Sequence, residues 1–443
     1  MEKGRLMPFS FFYIMMKLFI FFFGMVCLLS SCATETEIEP IANPEDYNPY
    51  LHTSERSSLL EAENEVAFWS KRLRPDSSGV GDLGPLASAY TRLFDATGNA
   101  TYLTNAETLY KKAMAISANN KDIYARGLAR TYISQHRFKE AATLLKQSYE
   151  GVSSKRATQF MLFDVLMELG KYEEAESYLK LLNNTSDYNY LIRKAKWSDH
   201  TGDLTNAINY MESAKAIAES RDSKPLKIWT YSNLGDYYGH DGRIDQAYNH
   251  YLMTLELQPD NAYVKKGIAW INYAYQNDVP EAQRILDSVM KNHKIPDYYL
   301  FLAEMAENEN DEAKAAEYTE TFVNAATNEA YGRMYNTHLI EVLAEKDPNR
   351  AMAIAEVEVT ERATPETYSL LAYTKLMKGE KERALDIIES RVKDKTSEPM
   401  AAYYMALVYQ ANGRTKELQQ LKKELQEAAF ELGPVLAKKI NKF

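Results

Sequence analysis

Residues 229–259 read WTYSNLGDYYGHDGRIDQAYNHYLMTLELQP. Tyr231, Leu234 and Tyr238 fall three and four positions apart, on one face of a helix. Ala247 and Tyr251 lie four apart in a second apolar run, which Pro259 closes. Gly242, between the runs, supplies the backbone freedom of a tight helix–helix turn. Small residues at Gly235 and Ala247 let two helices cross closely, and the large Tyr231, Leu234, Tyr238 and Tyr251 fill the space around the crossing. The stretch therefore predicts a helical hairpin over about 228–261.

The same design recurs along the chain. Units are expected at about 84–118 (Tyr90, Leu93, Gly98, Ala106, Tyr110, Ala113), with extra turn residues around Asn99 to Thr104. Others follow at 122–154 (Leu128, Ala129, Tyr132, Phe138, Ala141, Leu145), 156–184 (Gly170, Tyr172, Ala175, Leu179) and 188–220 (Ala195, Gly202, Ala207, Met211, Ala214). Beyond 261 the pattern loosens. Asn277-Asp278-Val279-Pro280 replaces the glycine turn at 262–291. Asn310 stands at the turn of 296–325, and Lys346-Asp347-Pro348-Asn349 at that of 329–362. It strengthens again at 365–395 (Leu371, Ala372, Gly379, Ala384, Ile388) and 399–426 (Ala406, Tyr409, Gly413), where Leu418 sits in place of an alanine. This pattern resembles the tetratricopeptide repeat family, and the resemblance covers about 84–426. The fold class is all-α, an α-solenoid of about ten such helix–turn–helix repeats.

Outside the repeats, residues 54–83 are expected to form a capping helix and loop. Leu59, Leu60, Val66, Phe68, Trp69 and Leu73 share its apolar face. The loop holds Gly79-Val80-Gly81-Asp82-Leu83-Gly84, a G-x-G-x-x-G without the preceding strand that a dinucleotide site needs. It is read as a connector ending at Pro85, in the first turn of a helix. Residues 427–443 are expected to form a C-terminal capping helix with a break at Gly433-Pro434.

Residues 8–30 are an almost unbroken apolar run ending in Leu28-Leu29-Ser30-Ser31-Cys32. Its short basic start, apolar core and small residues before a cysteine resemble a bacterial lipoprotein signal peptide over 1–31. The resemblance implies that Cys32 becomes the lipidated first residue of the mature chain, with translation starting at Met1 or Met16. The alternative is an uncleaved membrane anchor, since the run is long enough to span a bilayer. Residues 32–53 are acidic, hold three prolines and lack a helical period, so they read as a flexible tether. Glu35, Glu37 and Glu39 resemble the export signal of surface lipoproteins in Bacteroidetes. Ala33 does not resemble the aspartate of inner-membrane retention, which implies an outer-membrane location, periplasmic or cell-surface facing.

Composition narrows the function. The chain of 443 residues has 52 basic and 62 acidic residues, a formal net charge of −10. Residues 1–31 hold three of the basic residues and one acidic residue, leaving 49 against 61, or −12. Such a chain is a poor ligand for nucleic acid through phosphate neutralisation. Its two cysteines are Cys27, inside the signal, and Cys32, so no disulfide framework or thiol metal site is expected. There is no H-E-x-x-H, P-loop or G-x-S-x-G, and no cofactor or catalytic residue is assigned.

The family resemblance implies that ligands lie against the concave face, on first-helix positions not used for packing. Those positions are Arg126, Arg130, Phe160, Asp164, Arg193, Lys196 with Asp199 beside it, His200, Trp229, Asn233, Asp236, His240, Lys266, Trp270 and Tyr273. Aromatic residues and arginine are the usual interface anchors. His200 and His240, at equivalent positions near Asp199, Asp236 and Asp241, have no recognised metal-ligand spacing, so no metal is expected. The expected function is a non-enzymatic scaffold or adaptor that binds a protein or peptide in its concave groove. The alternative is nutrient or glycan capture as in the SusD family, against which the regular short connections count.

Overall fold

The computed structural model describes residues 40–53, 56–73, 79–119, 121–151 and 154–443. The expected signal segment, Cys32 and residues 32–39 of the expected tether lie outside the described residues. Helix α1 is Pro44–His52 and α2 is Ser57–Arg72. Ten helix pairs then follow. Repeats 1 to 5 are α3 Val80–Thr97 and α4 Thr101–Ile116; α5 Lys121–Ser134 and α6 Phe138–Tyr149; α7 Lys155–Glu168 and α8 Tyr172–Leu181; α9 Tyr188–His200 and α10 Leu204–Ser220; and α11 Lys224–His240 and α12 Ile244–Leu257. Repeats 6 to 10 are α13 Ala262–Trp270 and α14 Val279–Met290; α15 Asp297–Asn308 and α16 Glu312–Ala326; α17 Asn336–Leu343 and α18 Pro348–Glu361; α19 Pro365–Met377 and α20 Lys381–Ile387; and α21 Pro399–Ala411 and α22 Thr415–Glu427. A π-helical turn extends α13 over Ile271–Tyr275 and another extends α20 over Ile388–Val392. Helix α23 is Ala429–Ile440.

The quoted stretch packs as its pattern predicts. Leu234 and Ala247 are buried at the crossing, with Tyr231, Tyr238 and Tyr251 around it. Two of the three degenerate turns keep the same backbone, while that of repeat 8 has no left-handed residue. Asn277 and Asn310 take the left-handed conformation that glycine takes elsewhere, as does His136 in repeat 2. Asparagine tolerates that region because its short side chain bonds locally. Asp278, Asp311 and Asp347 then cap the following helices through their side chains.

Three boundaries differ from the sequence reading. The extra residues around Asn99 to Thr104 do not lengthen the first turn, because α4 already begins at Thr101. Helix α3 starts at Val80, so Pro85 lies inside it and Gly81 and Gly84 are helical. The apolar face that buries Leu86 and Ala87 continues back to Leu83, one turn earlier. The third difference is at the expected tether, whose C-terminal part is α1. Asn43 caps α1 by accepting from the Glu45 amide at 3.1 Å, and Pro44 stands in its first turn. Tyr47 and Leu51, four apart, are buried. Helix α1 lies on α12 and α14. The Tyr47 hydroxyl donates to Glu281 at 2.6 Å, and Lys265 Nζ donates to the Tyr50 carbonyl at 2.8 Å. Two apolar anchors are too few to show as a helical period, so the segment reads as linker until its docking site is known. On α2, Leu60 and Phe68 remain 58% and 54% exposed, so the apolar face expected there is only partly used.

The array, within Ile41–Phe443, coils back on itself. The helix–helix turns of repeats 1–4 meet the connections between later repeats. The Lys294 amide donates to the Thr97 carbonyl at 2.9 Å, and the Tyr331 hydroxyl to the Gly98 carbonyl at 3.2 Å. Arg362 reaches Glu168 at 3.1 Å and lies 4.9 Å from the Phe138 ring centre. Ser397 Oγ donates to the Asp199 carbonyl at 3.4 Å. Gly170, at φ 69°, has no room for a side chain, because a Cβ would stand 2.6 Å from the Ala363 carbonyl oxygen.

Candidate functional site

The first helices carry the predicted groove positions, and most of their polar groups are engaged between neighbouring repeats. Arg193 Nη2 pairs with Asp164 at 2.6 Å, while its Nε donates to the Phe160 carbonyl at 3.1 Å. Its guanidinium stacks 4.6 Å from the centre of the buried Phe160 ring. Lys196 pairs with Glu168 and Lys266 with Asp297, both at 2.9 Å. Arg126 donates weakly to Thr158 at 3.4 Å. Asp236 accepts from Tyr251 at 2.8 Å and from Tyr263 at 2.6 Å. Each of these contacts except the one to Tyr251 ties a repeat to the next. The cations counted from sequence as ligand-binding therefore act first as clamps between repeats, because a half-buried charge is costly without a partner.

Two sets of positions emerge. Near the helix starts, Trp229 is 41% exposed and meets Tyr188 edge-on. Asn233, half-buried one turn later, donates to the Trp229 carbonyl at 2.8 Å. Arg130, towards the end of α5, is also exposed. Near the helix ends the array is covered by its own later residues. Tyr273 is fully buried, which corrects its reading as a groove residue. Trp270 is half-buried, and its Nε1–H donates to the Phe430 carbonyl at 2.9 Å. His240 stays exposed beside Glu431.

Lys196 and His200 line a cleft of about 200 Å³ with Glu168, Tyr172, Asp199, Arg362, Glu366 and Glu398. Burial pushes the Glu168 carboxyl up, but Lys196 and Arg362 outweigh it and hold it below the usual range. Burial, then Glu431, Glu366 and Asp199, push Glu398 up to about 7. Burial also raises Asp199, against the pull of His240, His200 and Lys196, and lowers His200. The His200 ring lies 4.1 Å from that of Tyr172. Among the described residues, no group of three or more His, Cys, Asp or Glu is placed to hold a metal ion. Arg362, Glu398 and Glu431 had no signal in the sequence, since only the coiling of the array brings them to the earlier repeats. Among the described residues, no helix is long and apolar enough to cross a membrane.

Ten stacked helix pairs among the described residues, nine of them with a left-handed residue at the turn, define a helical-repeat solenoid. A family profile for the tetratricopeptide repeat matches residues 193–260. A profile for subunit 3 of the anaphase-promoting complex, or cyclosome, matches residues 99–182. The chain thus carries tetratricopeptide-like repeats, a scaffold suited to protein interaction and of a fold that is typically non-enzymatic. No curated protein matches it. Solved structures that resemble it include the human IFIT1 dimer with m7Gppp-AAAA, at 15% identity and TM-score 0.45 over 75% of each chain. A tetratricopeptide repeat protein from Parabacteroides merdae is 13% identical, with TM-score 0.38 over 58% of this chain and 96% of that one. Yeast Tom70 is 12% identical, with TM-score 0.33 over 82% and 93%.

Proposed function

We propose that the chain is a non-enzymatic outer-membrane lipoprotein, attached through a lipid on Cys32, whose solenoid binds protein partners along its inner face. The observation that carries the binding site is Trp229. It is a large aromatic left 41% exposed on a first helix, whereas Phe160 on repeat 3 and Tyr273 on repeat 6 are buried. A rigid aromatic held edge-on by Tyr188 loses little freedom on binding, which is what makes such residues anchors. The partner surface is then Trp229 and Asn233, flanked by Arg193 and Lys266 on the adjacent repeats, and reaches to Arg130 on repeat 2. Support for the anchor is the signal-like run before Cys32.

Crosslinking and affinity purification of the tagged, full-length protein from native membranes tests the reading, beside Trp229→Ala and Arg130→Ala variants. A stoichiometric protein partner captured by the wild type and lost from variants of unchanged melting temperature is expected. Retention of that partner by both variants refutes this placement, and no protein partner at all refutes the scaffold reading. Capture of glycan alone, abolished by Trp229→Ala, would favour nutrient capture. Cys32→Ala is expected to move the protein out of the membrane fraction.

A further inference from the structure

The C-terminal helix is not a simple end cap. Gly433, at φ 80° and ψ 165°, breaks α23 and turns its first residues across the ends of the first helices of repeats 5–7. There Trp270, Tyr273 and Phe301 form an aromatic triangle with ring centres 5.2 to 5.6 Å apart. Phe430 seats beside it, against Gly239, where a Cβ would stand 3.2 Å from the ring. The Trp270 Nε1–H finds its acceptor in the Phe430 carbonyl rather than in the repeats. A Cβ at Gly433 would stand 2.3 Å from Glu304 Oε1 and 2.9 Å from Trp270 Cη2, so the backbone itself is pressed onto the socket.

The grip around this socket is loose. Lys439 pairs with Glu307 at 2.9 Å with both side chains 47% exposed, and exposed pairs of that kind hold weakly. Lys438 donates to Asn308 at 2.7 Å, also in the open. Glu431 is brought towards Asp199, Glu398 and His240. Leu432 and Ile440, in contrast, belong to the core of repeats 8–10, and Phe443 stacks on Tyr403. The segment is thus fastened to repeat 10 and lightly seated on repeats 5–7.

We propose that residues 428–440 are a displaceable latch, occupying a docking site on repeats 5–7 for an external protein segment of the same chemistry. That segment carries an aromatic residue followed by a carboxylate, as Phe430-Glu431 does. The proposal rests on the reading of the chain as a partner-binding scaffold and says how that binding is regulated. A specific aromatic seat with a weak surrounding frame suits an occupant that yields to a better one, since a ligand shifts an equilibrium only by its differential affinity. Release parts α23 and repeat 10 from the first helices of repeats 5–7 as one body.

The test uses the full chain with Gly433→Ala, which drives a methyl group into Glu304 and Trp270. A labelled peptide of residues 428–436 is the probe. We expect it to bind Gly433→Ala at least tenfold more tightly than the wild type. Amide exchange at 268–275 should rise in the variant and fall again with peptide. A helical variant with unchanged exchange overturns the latch, as does a peptide that binds both proteins alike or neither. Should Gly433→Ala lose its helical signal, the pair Lys438→Glu and Lys439→Glu reads the same quantities from the exposed side. A partner captured by the wild type, and no better by the opened variant, overturns the latch while leaving the scaffold reading intact.

Discussion

Gly235→Ala sets two forces of similar size against each other. Alanine is favoured over glycine inside a helix by roughly 0.8–1 kcal/mol. Against this, the new Cβ would stand 2.3 Å from Tyr251 Cε1 and 2.6 Å from its Cδ1. The ring cannot retreat freely, because its other edge faces Gly267, where a Cβ would stand 2.7 Å from Cε2. Its hydroxyl is also held by Asp236 at 2.8 Å. Overpacking of a filled core costs about 1–3 kcal/mol, and disturbing a hydrogen bond to a carboxylate adds about 1.5–3 kcal/mol if it is lost. The net expectation is a loss of about 1–3 kcal/mol, measured by urea unfolding followed by far-ultraviolet circular dichroism. Adding Tyr251→Leu should recover part of it, with a coupling of about 1 kcal/mol or more between the two sites. A Gly235→Ala protein as stable as the wild type would show that Tyr251 swings aside for no more than the roughly 0.8–1 kcal/mol that the helix gains, and that the two glycines do not form a slot.

Four further outcomes are expected. Gly242→Asn should change stability by only a few tenths of a kcal/mol, as asparagine already takes this backbone at Asn277 and Asn310. Gly170→Asn should instead loosen the seam, since its Cβ meets the Ala363 carbonyl; a larger radius of gyration in X-ray scattering checks this. Arg362→Ala removes the contacts to Glu168 and Phe138 and should cost about 1–3 kcal/mol, with faster amide exchange around Glu168. Burial pushes Glu304 up to about 7 from an ordinary 4.5, so the folded chain holds its proton more tightly than the unfolded one. The stability it contributes is full below a pH of about 4.5 and is lost as the pH rises through about 7. Glu304→Gln should therefore gain melting temperature over the wild type at pH 8 and not at pH 5; equal gains at both would refute the assignment.

The repeats were legible because each is a local pattern. A 3.6-residue period, a left-handed turn residue and a small residue at the crossing locate a hairpin without reference to the rest of the chain. Even the weak sixth and seventh units could be read, as Asn277 and Asn310 do what glycine does elsewhere. The first-helix positions of the candidate residues were legible, but their partners were not. Sequence places Arg193 and Lys196 on first helices, yet it does not say that Asp164 and Glu168 one repeat earlier will neutralise them. Nor does it show where Tyr273 goes, since its burial depends on Phe301 and Glu304 in the next repeat. The coiling that joins Arg362 to Glu168 is a sum of small rotations over several repeats. No single residue carries that sum. Helix α1 was hidden for a simpler reason: Tyr47 and Leu51 are its only buried side chains.

The closed seam changes how the chain should fold. An open solenoid has only near-neighbour contacts and melts from its ends, one repeat at a time. Here the pairs Tyr331–Gly98, Arg362–Glu168 and Trp270–Phe430 join residues 233, 194 and 160 positions apart. Helix α1 adds a link across 234 positions through Tyr47 and Glu281. Such distant pairings raise the contact order, and with it the entropic barrier that must be crossed before they form. They also give the terminal repeats neighbours in the middle of the array, so loss of one end is felt by the other. The fold gains the cooperativity of a globular domain at the expense of the speed of a linear repeat.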